Sequence, residues 1–453
     1  MAGLRPVLHV VFGTIMVFSL LRCLHRPSRS PGRVRLEDIA ESSVLLESCP
    51  ARAACFAPAD ARRADVANPF LDWVSTPIGL TAHVLRDVVY DVDSRVLIKD
   101  GNLVEETCYL QPSEVLAALR VDRARLVRHG GPGVAVPCSD HWPGNYYHWM
   151  THALPVMAAL SGRPEMRRWG RPCWLLPDLL PWQRQTLDLL CADGGGRQAL
   201  TAGRQYRLDR VVYCNIVAGA ADFALSRLCQ SVFPRMAERV PVTRRRGLRL
   251  YVDRGGAGNR AIPNEAALAA ALAAEGFCVV RPERMTVSEQ IDLFRAAAMV
   301  VGPLGAGMTN IGFCRPGTLI YELVPDHHAN PCFLAMAMRG HLNYWADQYP
   351  TGATARDHVA RWEAGIDVAW VLRQVSGLWS RGTRPVLVSG GGPGGAPGPG
   401  TGGGGGGHCG AGGGAASPPG GGGGGGPGRR AAGGGGGGGG GPPPGRGPPP
   451  PVR

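Results

Sequence analysis

From Arg249 to Leu323, apolar runs and amphipathic segments alternate along the chain, broken by glycine-rich turns. The run Leu248–Val252 leads into Asp253-Arg254 and a turn that ends at Arg260. From Pro263 onward, Ala267, Leu268, Ala271 and Leu272 recur at the spacing of one helix face. Phe277 to Val280 reads as a strand, and Ile291, Leu293, Phe294 and Ala298 mark a second helix. Met299-Val300-Val301 then feeds a turn running from Gly302 to Asn310, and Thr318 to Tyr321 closes the series as another strand. This order predicts a parallel sheet with right-handed crossovers. Such sheets bind ligands beyond the carboxyl ends of their strands, where this chain gathers arginine and glycine. The expected occupant is a phosphorylated ligand.

The preceding stretch alternates in the same way. Arg95 to Ile98 followed by Asp100-Gly101-Asn102 predicts a strand and hairpin turn. Gly133 to Val136 predicts a strand feeding a loop and then a helix from Asn145 to Leu160. Trp174–Leu176 and Val211–Tyr213 read as further strands, with a helix over Trp182–Cys191 between them. The predicted fold class is therefore α/β, with one domain over 66–240 and a second over 241–388 facing it across a cleft. Residues 24–65 show no sustained periodicity and read as a stem. Residues 389–453 are glycine and proline with scattered arginine, too poor in apolar surface to fold, and are expected to be disordered. Residues 1–23 carry the apolar run Val7–Leu21, at the short limit for a spanning helix, and read as an uncleaved signal anchor with a cleaved signal peptide as the rival.

Charge changes this picture little. The net charge is +13, but Lys99 is the only lysine, and the heavy use of Arg, Gly, Ala and Pro is the mark of a GC-rich coding sequence. No basic run interleaved with aromatics tracks a nucleic-acid backbone, so no nucleic-acid partner is expected. Arg22, Arg26, Arg29, Arg33 and Arg35 follow the apolar run, which by the positive-inside rule favours a cytoplasmic body. Eleven cysteines between Cys49 and Cys332 lean the other way. They have no zinc spacing, and Cys49 and Cys55 suit a disulfide in a secretory compartment, with buried thiols as the plainer alternative.

Two clusters carry candidate chemistry. Gly256-Ala257-Gly258-Asn259-Arg260-Ala261 matches a dinucleotide fingerprint only superficially, because Asp253-Arg254 separates it from the strand and Pro263 marks a later helix start. The turn Gly305-Ala306-Gly307 offers backbone N–H groups at a helix start, with Arg254 and Arg260 to supply charge to a diphosphate. The second cluster is Asn145 to Pro155, where His148 and His152 lie four apart on one helix face. No glutamate follows His148 and no third ligand is evident, so metal binding is not expected. Either imidazole suits a general base, and two structural histidines remain the alternative.

Asn145-x-x-His148-Trp149 with Leu154-Pro155, Asp253-Arg254, Asn259-Arg260, Asn264-Glu265, Glu289-Gln290, Gly302-Pro303-x-Gly305-Ala306-Gly307-x-Thr309-Asn310, Pro316-Gly317-Thr318 and Glu322-Leu323 follow one another in the order and spacing that resemble glycosyltransferase family 61. That family includes the EGF-domain-specific O-linked N-acetylglucosamine transferase, plant xylan xylosyl- and arabinosyltransferases, and bacterial polysaccharide enzymes. The resemblance covers about residues 90 to 330. It implies a GT-B architecture of two facing Rossmann-like domains, the first on the acceptor side and the second for the nucleotide sugar. It also implies inverting transfer of a hexose or pentose from a UDP-sugar to a glycan or protein hydroxyl, without a metal or other cofactor. His148, with His152 second, is then the expected base. Asn145, Arg254, Arg260, Gly305, Ala306, Gly307, Thr309 and Asn310 are expected at the nucleotide sugar, and Glu322 at its ribose. The chain departs from the family at His152, where an acidic residue is usual, and at Leu304, where a histidine is usual. Those departures motivate a second reading, a catalytically silent protein that binds sugar nucleotides or glycans. The resemblance, anchor and cysteines place the catalytic domain in the Golgi lumen on a single membrane span. The arginines after the anchor favour the cytoplasmic face of a bacterial inner membrane instead.

Overall fold

The computed structural model describes residues 30–56, 68–190, 195–255, 258–354, 359–381 and 386–389. The expected anchor over 1–23 and the glycine- and proline-rich segment beyond Ser389 lie outside them. Among the described residues, no helix is long and apolar enough to cross a membrane.

Two sheets organise the chain. The second is the simpler, with five parallel strands: Leu248–Val252, Cys278–Val280, Ala297–Pro303, Leu319–Pro325 and Asn343–Tyr349. In chain order they lie second, first, third, fourth, fifth across the sheet. Each strand was foreseen from its apolar run except Asn343–Tyr349, whose Asn, Asp and Gln break the pattern. Helices Glu265–Ala274 and Val287–Arg295 make the crossovers. The second starts at a reciprocal cap, in which Thr286 Oγ1 accepts from the Glu289 N–H and the Glu289 carboxylate accepts from the Thr286 N–H. Helices cover both faces, which is why the strands read as nearly unbroken apolar runs. Leu268 and Leu272 pack on Tyr251, Val301 and Tyr321 on one side. Ile291, Phe294, Ile311 and Phe333 cover the other.

The first sheet has ten strands and is mixed. At its centre the long strands Ile78–Asp91 and Gln205–Cys214 run antiparallel, from Gln205 opposite Asp91 to Cys214 opposite Ala82. Val134–Pro137, Pro172–Leu176 and Gly196–Ala199 extend it in parallel. The expected hairpin is present, with Ile98 opposite Leu103. One core cluster runs through both sheets, from Val136 and Trp174 to Val300 and Tyr344.

Two expectations are corrected. Much of the stretch read as a stem is folded: Ser42–Cys49 pairs antiparallel with Ile78–Asp91, and Leu36 and Cys49 are buried. The run Ser42-Ser43-Val44-Leu45-Leu46-Glu47 lacks clean alternation, and a neighbouring strand rather than its own periodicity holds it. Cys49 and Cys55 are not bonded. Cys49 is buried at the end of its strand and Cys55 is exposed, and every other described cysteine is a free thiol too.

Candidate active site

The strand Val134–Pro137 ends in a short loop that carries Asp140, and the helix bearing the two histidines starts at Tyr146. Asn145 caps this helix, its Oδ1 accepting from the N–H groups of Tyr147 at 2.9 Å and His148 at 3.4 Å. Asn145 therefore sets the direction of the helix, which is a different task from the ligand contact expected of it. The helix then widens into a π turn over Trp149–Ala153, with the Leu154 N–H reaching back to the Trp149 carbonyl. Pro155 has no N–H to give the Thr151 carbonyl, which supplies a reason for the irregular bonding. The turn turns His152 inward while His148 stays near the surface.

His148 donates from Nδ1 to Asp140 Oδ2 in a short hydrogen bond. Its side chain is 11 % exposed, and Nε2 is left for another partner. Trp142 lies against it, with ring centroids 4.8 Å apart and planes at 77°. His152 is entirely buried. Its Nδ1 lies 2.7 Å from Asp140 Oδ2 and its Nε2 lies 2.8 Å from Asp222 Oδ1. Burial alone would lower the His152 pKa, but Asp222 and Asp140 outweigh it and hold the ring as an imidazolium. Burial likewise disfavours both carboxylates, yet the histidines keep Asp140 and Asp222 below the usual range. Tyr147 and Tyr109 complete the shell, donating to Asp222 at 2.8 and 3.2 Å. His152 is thus the cation of a buried ion network. With both nitrogens engaged it has no lone pair for a substrate proton, which removes it as the second base.

Asp140, His148 and His152 also place one ligand atom each within 4.8 Å of one another, a spacing that a metal ion would accept. Ligation would require His152 to surrender its proton and one of its two carboxylate partners. The donor set fits an ion network better than a metal centre.

On the second sheet, the strands Leu248–Val252 and Ala297–Pro303 are neighbours at the point where strand order reverses. Ligand crevices form beyond the carboxyl ends of such a pair. Arg254 follows the first strand and Gly305 the second. Arg254 donates to the carbonyls of Leu304 at 2.8 Å and Asn259 at 2.6 Å, while its buried Nε has no partner. Arg260 also donates to the Leu304 carbonyl, at 3.3 Å, from a left-handed backbone conformation at φ 50°. Burial, reinforced by Arg260, lowers Arg254 to about 10, and burial lowers Arg260 as well. Two half-buried guanidinium groups therefore share one carbonyl, with Glu265 acting on Arg254 and Glu322 on Arg260. Gly305 leaves room for this guanidinium, since a Cβ would stand 1.9 Å from Arg254 Nη1.

The remaining expected ligand residues divide. Ala306 and Gly307 are partly exposed at the start of the 3-10 helix Ala306–Phe313. Thr309 and Asn310 are fully buried. Asn310 accepts from the Tyr146 hydroxyl at 2.8 Å and donates to Gln290 at 2.9 Å, so it ties the histidine helix to the glycine turn. Glu322 is also fully buried, its Oε2 accepting from the Tyr344 hydroxyl at 2.5 Å, and burial raises it to about 8. It stands inside the protein rather than at a ribose. Sequence reasoning missed both carboxylates of the network. Asp140 was within reach, at a strand's carboxyl end eight residues before His148. Asp222 was not, since it lies in an irregular segment seventy residues beyond His152.

The family model of glycosyltransferase 61 matches residues 146–321, from the histidine helix to the fourth strand of the parallel sheet. Over that stretch the chain is similar to glycosyltransferase family 61. That similarity supports a glycosyltransferase in the broad sense, a class that takes a sugar donor and a glycan acceptor. No curated protein matches the chain. The family 61 match takes in His148, His152, both arginines and the whole glycine turn, and stops one residue before Glu322. Asp140 stands outside it, on the loop that this chain uses to orient His148.

Proposed function

We infer that the chain is an inverting glycosyltransferase, moving a hexose or pentose from a UDP-sugar to a hydroxyl of a glycan or protein. The observation that carries this reading is the Asp140–His148 pair, in which Nδ1 is held by a carboxylate and Nε2 is left for a proton. His148 Nε2 takes the acceptor proton as the acceptor oxygen attacks the anomeric carbon from the face opposite the diphosphate. The bond from that carbon to the diphosphate oxygen breaks, and UDP leaves with the electron pair. Arg254, Arg260 and the N–H groups around Gly305–Gly307 meet the charge that develops. Asn310, through Tyr146, couples that turn to the helix of His148. The two sheets then act as the halves of a GT-B enzyme, acceptor on the first and donor on the second. Trp142, 37 % exposed beside His148, offers an apolar face for the acceptor sugar. Guanidinium groups and backbone dipoles do the work of a metal, so transfer should survive chelation. Loss of turnover in EDTA, restored by manganese, would overturn that part of the reading.

The test is donor turnover. UDP released from a panel of UDP-sugars, with and without glycan acceptors, should be abolished by His148→Ala in a protein that still binds UDP. The second reading, a silent sugar-nucleotide or glycan binder, is favoured by Leu304, which supplies the turn with only its carbonyl. Donor binding with no UDP release from any donor and acceptor pair would establish it.

For the compartment we infer a single membrane span over the first residues and a catalytic domain in the Golgi lumen. The unpaired cysteines favour the rival placement at a cytoplasmic face. Alkylation of protein from its native host decides: full labelling without reduction rejects the lumen, and pairing rejects the cytoplasm.

A further inference from the structure

Arg95 occupies a left-handed backbone conformation at φ 61°, which non-glycine residues seldom adopt. The turn that presents it is pinned. The Ser94 N–H and hydroxyl both donate to Asp91 Oδ1 at 2.9 Å, and the Arg95 N–H donates to the Asp91 carbonyl at 2.8 Å. Its side chain enters a concavity between the first sheet and the 3-10 turns Glu105–Cys108 and Asn215–Ala218. Three buried polar atoms on the wall have no hydrogen-bond partner: Arg95 Nη1, Ser139 Oγ and His141 Nε2. The buried Tyr90 hydroxyl lies behind this wall, close to Arg95 and Ser139. A buried polar group left unmet is costly, so three gathered on one wall call for an occupant.

The wall says what kind. Among the described residues Arg95 makes no ion pair. Asp140 also lines the space, but its oxygens are taken, Oδ1 by the Trp142 N–H and Oδ2 by the two histidines. A fixed guanidinium, the Ser139 hydroxyl and an imidazole nitrogen can all donate inward. A water could bond the hydroxyl and the imidazole but would leave the guanidinium charge unmatched, and a dianion would exceed that one positive charge. The space admits a particle on the order of one water molecule. We propose that this pocket is a binding site for a small monovalent anion, held by Arg95, Ser139 and His141 and distinct from the diphosphate site on the other sheet.

Bromide-soaked crystals of the whole protein test this directly. An anomalous peak within hydrogen-bonding distance of Arg95 Nη1 and Ser139 Oγ is expected, and its absence at high bromide would overturn the proposal. In solution, chloride should raise the thermal midpoint above that in gluconate at equal ionic strength, because the bound ion stabilises the folded state by mass action. Arg95→Met should abolish the difference and Ser139→Ala should reduce it several-fold. An undiminished difference in Ser139→Ala and in any Arg95→Met that folds would also overturn it.

Discussion

The two sheets present their polar groups in opposite conditions. On the first, His148, His152, Asp140, Asp222, Tyr147 and Tyr109 satisfy one another, leaving one imidazole nitrogen for a substrate. On the second, Arg254 and Arg260 crowd one carbonyl, burial and Arg260 depress the proton affinity of Arg254, and its buried Nε stays unpaired. The histidine network is complete without ligand; on the second sheet Arg254 keeps a buried donor unmet. A group that moves a proton must be held in one tautomer before substrate arrives. A group that binds a leaving diphosphate gains most if its charge is unmet until then.

The sharpest break would come at His148. Replacing it with Ala should lower kcat by roughly 100- to 10,000-fold, the usual range for a general base, while UDP binding is retained. Equal loss of UDP affinity would show that the two regions are not divided in this way.

His152 should behave in the opposite manner. His152→Gln removes the cation between two buried carboxylates and should cost about 3–5 kcal/mol of stability. Adding Asp222→Asn should recover part of that loss, since the stranded charge goes with it; thermal denaturation of the single and double variants reads both. The same network fixes a pH profile. The His152 pKa is raised, to about 10, so its contribution is whole below the ordinary imidazole value near 6.5 and is lost as pH climbs through 10. The Asp140 and Asp222 pKa values are lowered, so theirs is whole above about 3.9 and is lost as pH falls below it. Stability should therefore be greatest between about pH 4 and 6.5 and decline toward alkaline pH. A His152→Gln protein that kept the alkaline decline would assign it to other groups.

The second sheet was the more legible of the two in the sequence, and for a physical reason. Its strands are buried on both faces and its crossovers are local, so Leu250 to Val252 and Val300 to Val301 announce themselves as apolar runs. The glycines between them mark the turn. The first sheet joins strands distant in the chain, as where Gln205 pairs with Asp91, and no window of sequence contains that pairing. The site divides in the same way. His148, Arg254 and Gly305 could be singled out from local pattern, whereas the role of His152 depends on Asp222, which only the tertiary fold brings near. Asn310 and Glu322 were placed at a ligand because the motif contains them; burial gives them interior tasks.

On the second sheet the expected effects are smaller. Arg254→Met should weaken UDP binding about 10- to 100-fold, as expected for charged hydrogen bonds worth about 1.5–3 kcal/mol. Melting in the absence of UDP should change little or improve, because an unmet buried charge is removed. A clear loss of stability would mean that Arg254 is structural, and the contrast with the first sheet would fail.

The smallest change tests the same idea from the side of the backbone. Gly305 has φ 178°, an extended value open to any residue, so Gly305→Ala introduces no backbone strain. Its new methyl would meet Arg254 Nη1 at 1.9 Å, the end of a flexible side chain, and the guanidinium would swing away instead of the strand. The protein should keep its thermal midpoint within about a degree and lose UDP affinity by less than about tenfold, since Arg260 and the turn's N–H groups remain. Combined with Arg254→Met, the alanine should add almost nothing, because both act on one group. Independent, additive losses in that double variant would show that Gly305 meets the ligand through its own backbone, and that the arginine is not what the glycine makes room for.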